Sequence, residues 1–259
     1  MNREDIEALR GAKRLLESPS LAVKLTDKLG SGIERGMKYL PANFSAIVDK
    51  AVQMSLGKAM DVALYSMGKK SRRVSSDFLH KAAAGIVGGV GGFFGWASLP
   101  AELPASTVVM LRSIADIAAA NGEDLSQPEA KLSCLEVFAL GGPSKADDGA
   151  ETGYYMVRGT LAAYLRTASR YLTGTTLADA GAPALSRFVG QVASRFGVSV
   201  SDKVAASAVP VLGAASCAAI NLVFTQHFQN MANGHFTVRR LERTYGQDVV
   251  KAAYEKLSL

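Results

Sequence analysis

Two stretches of this 259-residue chain, residues 82–101 and 204–226, contain no charged side chain at all. A helix needs about twenty apolar residues to cross a bilayer, and both stretches reach that length. Segments of this kind have three fates: a buried hairpin in a protein core, a hairpin docked into a bilayer, or a pair of spans. Their make-up argues against plain spanning. The first holds Gly85, Gly88, Gly89, Gly91, Gly92 and Gly95, which spell overlapping G-x-x-x-G pairs at 85/89, 88/92 and 91/95. That spacing lets a second helix approach backbone to backbone. In water each such glycine costs a helix about 1 kcal/mol relative to alanine, so tight packing or an apolar surround must offset it. The second stretch carries Pro210, Gly213, Asn221 and Gln226, and in both the insertion-driving Leu, Ile, Val and Phe are the minority.

The rest of the chain reads as helices. Leu21, Leu25, Leu29, Ile33 and Met37 recur every fourth residue and form one stripe that ends at Leu40-Pro41. Phe44, Ile47, Val48, Ala51, Met54 and Val62 mark the apolar face of a second helix, with Asp49, Lys50 and Lys58 outside. Pro100 and Pro104 break the chain, and a helix over 105–120 stops at Asn121-Gly122. Ser126-Gln-Pro-Glu129 reads as a capping box opening a helix over about 127–140, and residues 141–150 read as an exposed loop. Further helices are predicted over about 151–172 and 183–196, the latter closed by Gly197. A last long helix is expected to run to Asn233-Gly234, with a basic tail helix after it. Strand alternation never persists beyond about five residues. The expected fold is therefore all-α. It is a single multi-helix domain with a Gly-rich central helical hairpin and a second apolar helix near the C-terminus. The two halves echo each other weakly, each with an uncharged stretch, an interior proline, a helix and an Ala-Asn-Gly stop (120–122 and 232–234).

Hydrophobic residues are 48% of the chain and charged residues 20%, which excludes disorder and leaves ample material for a core. The net charge of +6 favours anionic partners. Its densest source is Lys69, Lys70, Arg72 and Arg73, just ahead of the first uncharged stretch; facing a membrane, such a cluster attracts anionic lipid at about 1 kcal/mol per residue. Cys134 and Cys217 have no metal-ligand or C-x-x-C spacing and read as buried free thiols, which suits a reducing compartment. The N-terminus places acids where a secretory signal needs positive charge, so a cytoplasmic protein is expected, peripheral at the inner face of the membrane if it docks there.

Phosphate-loop, nucleophile-elbow, zincin and dinucleotide signatures are absent from the sequence. No nucleic-acid-binding motif occurs, and aromatic residues do not interleave the basic cluster. Ser55-Leu-Gly-Lys58 matches S-x-x-K in spelling alone. What stands out is a set of polar residues inside apolar helices. Arg112 and Asp116 are four apart and share a face; Glu136 needs a partner if buried; His227 and His235 bracket Phe228-Gln-Asn-Met-Ala-Asn-Gly, with Arg239 following. These six either converge on a polar pocket, with histidine as proton carrier, or form ion-pair networks between helices. Two histidines without a carboxylate or thiolate at ligand spacing do not argue for a metal, and no cofactor is expected.

The same residues carry a resemblance. Leu111-Arg-Ser-Ile-Ala-Asp116, Leu135-Glu-Val-Phe-Ala-Leu-Gly-Gly142, Ser194-Arg-Phe-Gly-Val198, Asp202-Lys203-Val-Ala-Ala and the ending His227-Phe-Gln-Asn-Met-Ala-Asn-Gly-His-Phe236 with Arg239-Arg-Leu-Glu242 resemble the EcsC family. The match is densest from about residue 100 to 246. It implies one EcsC-like domain: amphipathic helices over 1–67, a family core over 74–246 and a tail helix over 247–259. The family takes its name from a bacterial protein encoded beside an ABC transporter. The resemblance thus implies a bacterial protein with membrane business, with anionic lipid or a membrane transport complex as partner, and brings no catalytic residues with it. Three functions are carried forward: a peripheral membrane or lipid-handling protein, an enzyme (a hydrolase, for instance) using the polar set, and a ligand-free scaffold of a membrane complex.

Overall fold

The structure is a computed structural model that describes residues 1–17, 21, 24–25, 36–66, 99–141, 153–175, 178–208 and 214–258. Its helices are α1 (Arg3–Leu16), α2 (Phe44–Ser66), α3 (Leu99–Ala120), α4 (Pro128–Glu136), α5 (Gly153–Leu172), α6 (Ala178–Ser207), α7 (Ala214–Tyr245) and α8 (Gln247–Lys256), with a 3-10 turn at Val137–Ala139 after α4. No strand occurs among the described residues, so the chain is all-α, as its periodicity predicts.

Local chemistry sets several of the helix ends. The Asn2 side chain accepts a hydrogen bond from the Asp5 amide at 2.7 Å, capping α1. Glu4 and Asp5 in its first turn and Lys13 and Arg14 in its last match the helix dipole. α3 ends in a Schellman motif: Gly122 adopts φ +80°, its amide bonds the Ala119 carbonyl, and the Glu123 amide bonds that of Ala118.

α7 runs through the centre and packs on α1, α3 and α8, while α2 lies against α3 and α6, and α5 against α4 and α6. Leu21 and Leu25 are buried in the core, as the stripe predicts. Phe138 of the 3-10 turn meets Phe196 of α6 at 4.9 Å and Phe228 of α7 at 5.3 Å, and Phe224 adds a contact to Phe228 at 5.2 Å. Tilted and edge contacts of this kind add about 0.5–1.5 kcal/mol per pair beyond the area they bury.

Several sequence expectations are corrected. Helix α3 starts at Leu99 and includes both prolines. Pro100 falls in the first turn, where a missing amide costs nothing, and Pro104 is buried in the core, which compensates its lost bond. The capping box does not form. Gln127 is the N-cap without a side-chain bond; the Ser126 amide goes to Asp124 at 2.9 Å, an Asx turn that competes for the same residues. The helix then ends at Glu136 rather than 140. Gly197 does not close α6, which continues to Ser207 because Phe196 and Val200 are fully buried on its core face. Asn233-Gly234 does not stop α7 either, so the second half of the supposed repeat lacks its stop. Met37 and Met54 are exposed rather than buried.

In the second uncharged stretch residues 204–207 end α6 and residues 214–226 open α7, while 209–213, with Pro210 and Gly213, lie outside the described residues. Residues 82–98 of the first stretch, with Gly85, Gly88, Gly89, Gly92 and Gly95, lie outside the described residues, as do Lys69, Lys70, Arg72, Arg73 and the loop from 142 to 150. Cys134 is a buried free thiol whose ionisation burial pushes far up; the side chain of Cys217 is outside the described set. Among the described residues α3 is the helix long and apolar enough to cross a membrane, and half of that apolar length is buried against the protein.

Candidate functional site

Four of the six polar residues singled out in the sequence lie on α7 or at the end of α4, and three of them come together. Glu136 is 2% exposed and His235 fully buried. Their nearest atoms, Oε2 and Nε2, are 3.8 Å apart, beyond hydrogen-bond reach. His235 Nδ1 is 3.1 Å from the Tyr154 hydroxyl, which also accepts a bond from Arg158 at 3.4 Å. The Tyr154 hydroxyl has a proton to give Nδ1 and a second lone pair to accept from it, so the direction of that bond follows the ring's tautomer. Burial holds the imidazole well below its ordinary value, with Arg158 and Arg239 adding to the effect, so the His235–Glu136 approach is not an ion pair.

The flanking charges are firmly paired. Arg158 of α5 donates twice to Glu242 of α7, both bonds at 2.7 Å, and the Tyr155 hydroxyl donates to the same carboxylate at 3.3 Å. Arg239 donates to Glu123 at 2.8 and 3.1 Å and lies 3.6 Å from Glu129; Arg243 joins the same Glu123. Burial pulls the Glu123 carboxyl up, but the bonds and charges of Arg239 and Arg243 outweigh it and hold the group below the usual range. Two-pronged pairs of this geometry fix the guanidinium planes.

Glu136 has no such partner. Its Oε1 is buried without a hydrogen bond, as is His235 Nε2. Burial pushes its carboxyl up to about 7, against the pull of Arg158 and Arg239 and with help from Glu242 and Glu129. Glu136 also lines a cleft of about 300 Å³ between α4, α5, α7 and α8. Arg158, Arg239, Arg166 and Lys251 supply cations to its wall, with Glu129 and Tyr155 beside them and Gly159 leaving space. A β-carbon on Gly159 would meet nothing within 4 Å. Arg166 is exposed and forms no ion pair with the described residues, and Lys251 reaches Glu255 only at 3.8 Å on the surface. Two cations of the cleft are thus weakly committed or uncommitted.

The remaining candidates lie elsewhere. His227 is eight residues from His235 on α7, about 12 Å along the axis. It is buried, 3.4 Å from the Lys24 amine, and packed so close to Gly141 that a β-carbon there would stand 2.7 Å from its ring. Burial and then the Lys24 charge hold it down at about 3, against a backbone bond to Leu140, so it is neutral at physiological pH. Arg112 and Asp116 on α3 do not line the cleft; Asp116 is exposed and no ion pair joins the two. Ser55 is buried on its own Ala51 carbonyl while Lys58 is exposed, so the S-x-x-K spelling builds nothing.

Sequence reasoning missed Tyr154, Arg158, Glu123 and Glu242. Tyr154 and Arg158 are four apart on one helix face, a signal that reads equally as a solvated pair. Among the described residues no group of histidine, cysteine and carboxylate side chains is arranged to hold a metal ion. Neither the curated proteins nor the solved structures contain a match to the chain. The model of the EcsC protein family does match, over residues 16–241, which spans α2 through α6, most of α7 and every residue of the buried cluster except Glu242. The chain belongs to the EcsC protein family.

Proposed function

We propose that the protein binds an anionic head group, phosphate- or sulfate-like, in the cleft between α4, α5, α7 and α8, and that it works at or near a membrane surface. The observation that carries this reading is the cleft wall: Arg158 and Arg239 held rigid by their carboxylates, with Arg166 outside any ion pair among the described residues and Lys251 only loosely paired with Glu255. A volume of about 300 Å³ is at the small end of known ligand sites, right for a head group. The enzyme reading loses ground because His227 and His235 do not share a reacting centre. Calorimetric titration with inorganic sulfate, glycerol 3-phosphate and phosphatidylglycerol vesicles tests the proposal and separates a free anion from a lipid head group. Gly159→Leu fills the cleft from an open position and is expected to abolish binding while the fold survives. Equal binding by this variant, or none by the native protein, rejects the reading and favours a ligand-free scaffold.

Docking on the membrane itself is a second reading, favoured by Lys69, Lys70, Arg72 and Arg73 ahead of the glycine-rich stretch and by the apolar length of α3. Flotation with anionic against zwitterionic liposomes tests it. Recovery in the float with anionic lipid alone, lost when the four basic residues become Ser, supports docking; absence from both floats rejects it.

A further inference from the structure

We infer that anion binding in the cleft is coupled to uptake of a proton by Glu136, so that the site captures its ligand on the acid side of neutrality and releases it on the basic side. The inference rests on the proposed anion site and specifies how that site is regulated. Three facts of geometry carry it. Glu136 is a wall residue of the cleft, so its carboxylate and the bound anion would share one small, poorly hydrated space. Its Oε1 is buried with no hydrogen-bond partner, so nothing in the protein donates to an ionised carboxylate there, and its charge repels an anion in the adjoining cleft, whereas the protonated carboxyl does not. The two arginines that would otherwise neutralise it, Arg158 and Arg239, are turned to Glu242 and Glu123.

The charged and titratable groups that act on Glu136 come from its own helix and from α5 and α7, with α8 at the edge of the cleft. Glu129 stands on its own helix; Tyr154 and Arg158 come from α5; His235, Arg239 and Glu242 come from α7; Lys251 of α8 borders the cleft. His235 cannot supply the proton, because burial keeps its ring neutral, and the Tyr154 hydroxyl is held above its ordinary range by burial. The carboxyl itself, pushed up by burial to about 7, is poised where its charge changes near neutrality.

Proton uptake and affinity are two faces of one linkage: a ligand that favours the protonated carboxyl binds more tightly where that form is populated. The probe is inorganic sulfate, whose charge does not change across the range used. With a carboxyl titrating at about 7, affinity is expected to fall about tenfold between pH 6 and pH 8. Calorimetry at pH 7 in two buffers of different ionisation heat is expected to register about half a proton taken up per sulfate, the fraction of Glu136 still ionised there. Glu136→Gln removes the carboxylate charge at every pH and is expected to bind with little pH dependence and no uptake. Sulfate affinity equal at pH 6 and 8 in the native protein, or a pH slope that survives Glu136→Gln, overturns the coupling while leaving the anion site standing. Sulfate binding absent at every pH overturns the site and the coupling together. Should Glu136→Gln fail to fold, the proton count of the native protein decides.

Discussion

A β-carbon on Gly234 would stand 2.6 Å from Leu16 Cγ, and 3.1 Å from the Ala12 carbonyl, so α1 crosses α7 at a point that only glycine fits. The pair Asn233-Gly234 spells a helix stop, yet here the glycine serves an approach between helices and α7 continues to Tyr245. Gly234→Ala is expected to destabilise the protein by about 1–3 kcal/mol through overpacking, despite the better helix propensity of alanine. Combining it with Leu16→Ala should recover part of that loss, since the two changes act on one contact. Urea unfolding of both variants measures this, and a Gly234→Ala protein as stable as the native one would remove the close approach.

Arg158 and Glu242 are only 13% and 9% exposed, so removing either strands its partner in a poorly hydrated place. Arg158→Met or Glu242→Leu alone should each cost about 3–5 kcal/mol, and the double variant distinctly less than the sum. Thermal unfolding of the four proteins forms the cycle. A fully additive double variant would deny the pair its coupling.

The pH dependence of stability has two opposed sources. Glu136 titrates at 4.5 in an unhindered setting and at about 7 in the fold, so the native state holds an extra proton between those values. Unfolding releases it, and this group's contribution therefore declines as pH rises through that window. The buried histidines act oppositely. His227, held at about 3, and His235, well below 6.5, are neutral when folded, so their contribution is complete above 6.5 and lost as pH falls below it. Glu136→Gln removes only the first effect. Relative to the native protein it should gain stability progressively from pH 4.5 to 7 and level off beyond, by on the order of 3 kcal/mol. Denaturant midpoints at pH 5 and pH 8 decide; an equal difference at both would place the Glu136 carboxyl back in the ordinary range.

Which features were legible in the sequence follows from how local their causes are. The end of α3 was legible because Gly122 completes a motif of six consecutive residues. The continuation through Gly197 was not, because it depends on Phe196 meeting Phe138, 58 positions away in the chain. Glu136, His235 and Arg239 stood out as polar residues in apolar runs, and the fold does bring them together. Their companions did not, since Tyr154 and Arg158 sit on a helix whose other face is polar, where a tyrosine and an arginine read as surface. The cleft itself had no sequence signal: it is made by four helices, and Gly159 marks it only by what it leaves empty.

Lys13 is a buried cation that forms no ion pair with a carboxylate among the described residues. Its ammonium donates to the carbonyls of Tyr254 and Leu257, both at 2.8 Å, closing the C-terminus of α8. Lys13→Ala should cost about 1.5–3 kcal/mol, the range for a hydrogen bond to a charged group. Amide hydrogen exchange should accelerate in α8 before it does in α5, and uniform acceleration would count against a local role for Lys13.

The same clasp has a consequence for synthesis. α1 leaves the ribosome well before the partners that Leu16, Lys13 and Asp5 require: Gly234, the α8 carbonyls and Tyr245 are translated more than 200 residues later. Until then the apolar side of α1, with Leu9, Ala12 and Leu16, lacks the surface it docks on, and the nascent chain must carry it open over that interval. This contact is thus sealed only after α7 and α8 emerge, which makes α1 a natural handle for a chaperone and its docking a long-range, slow step.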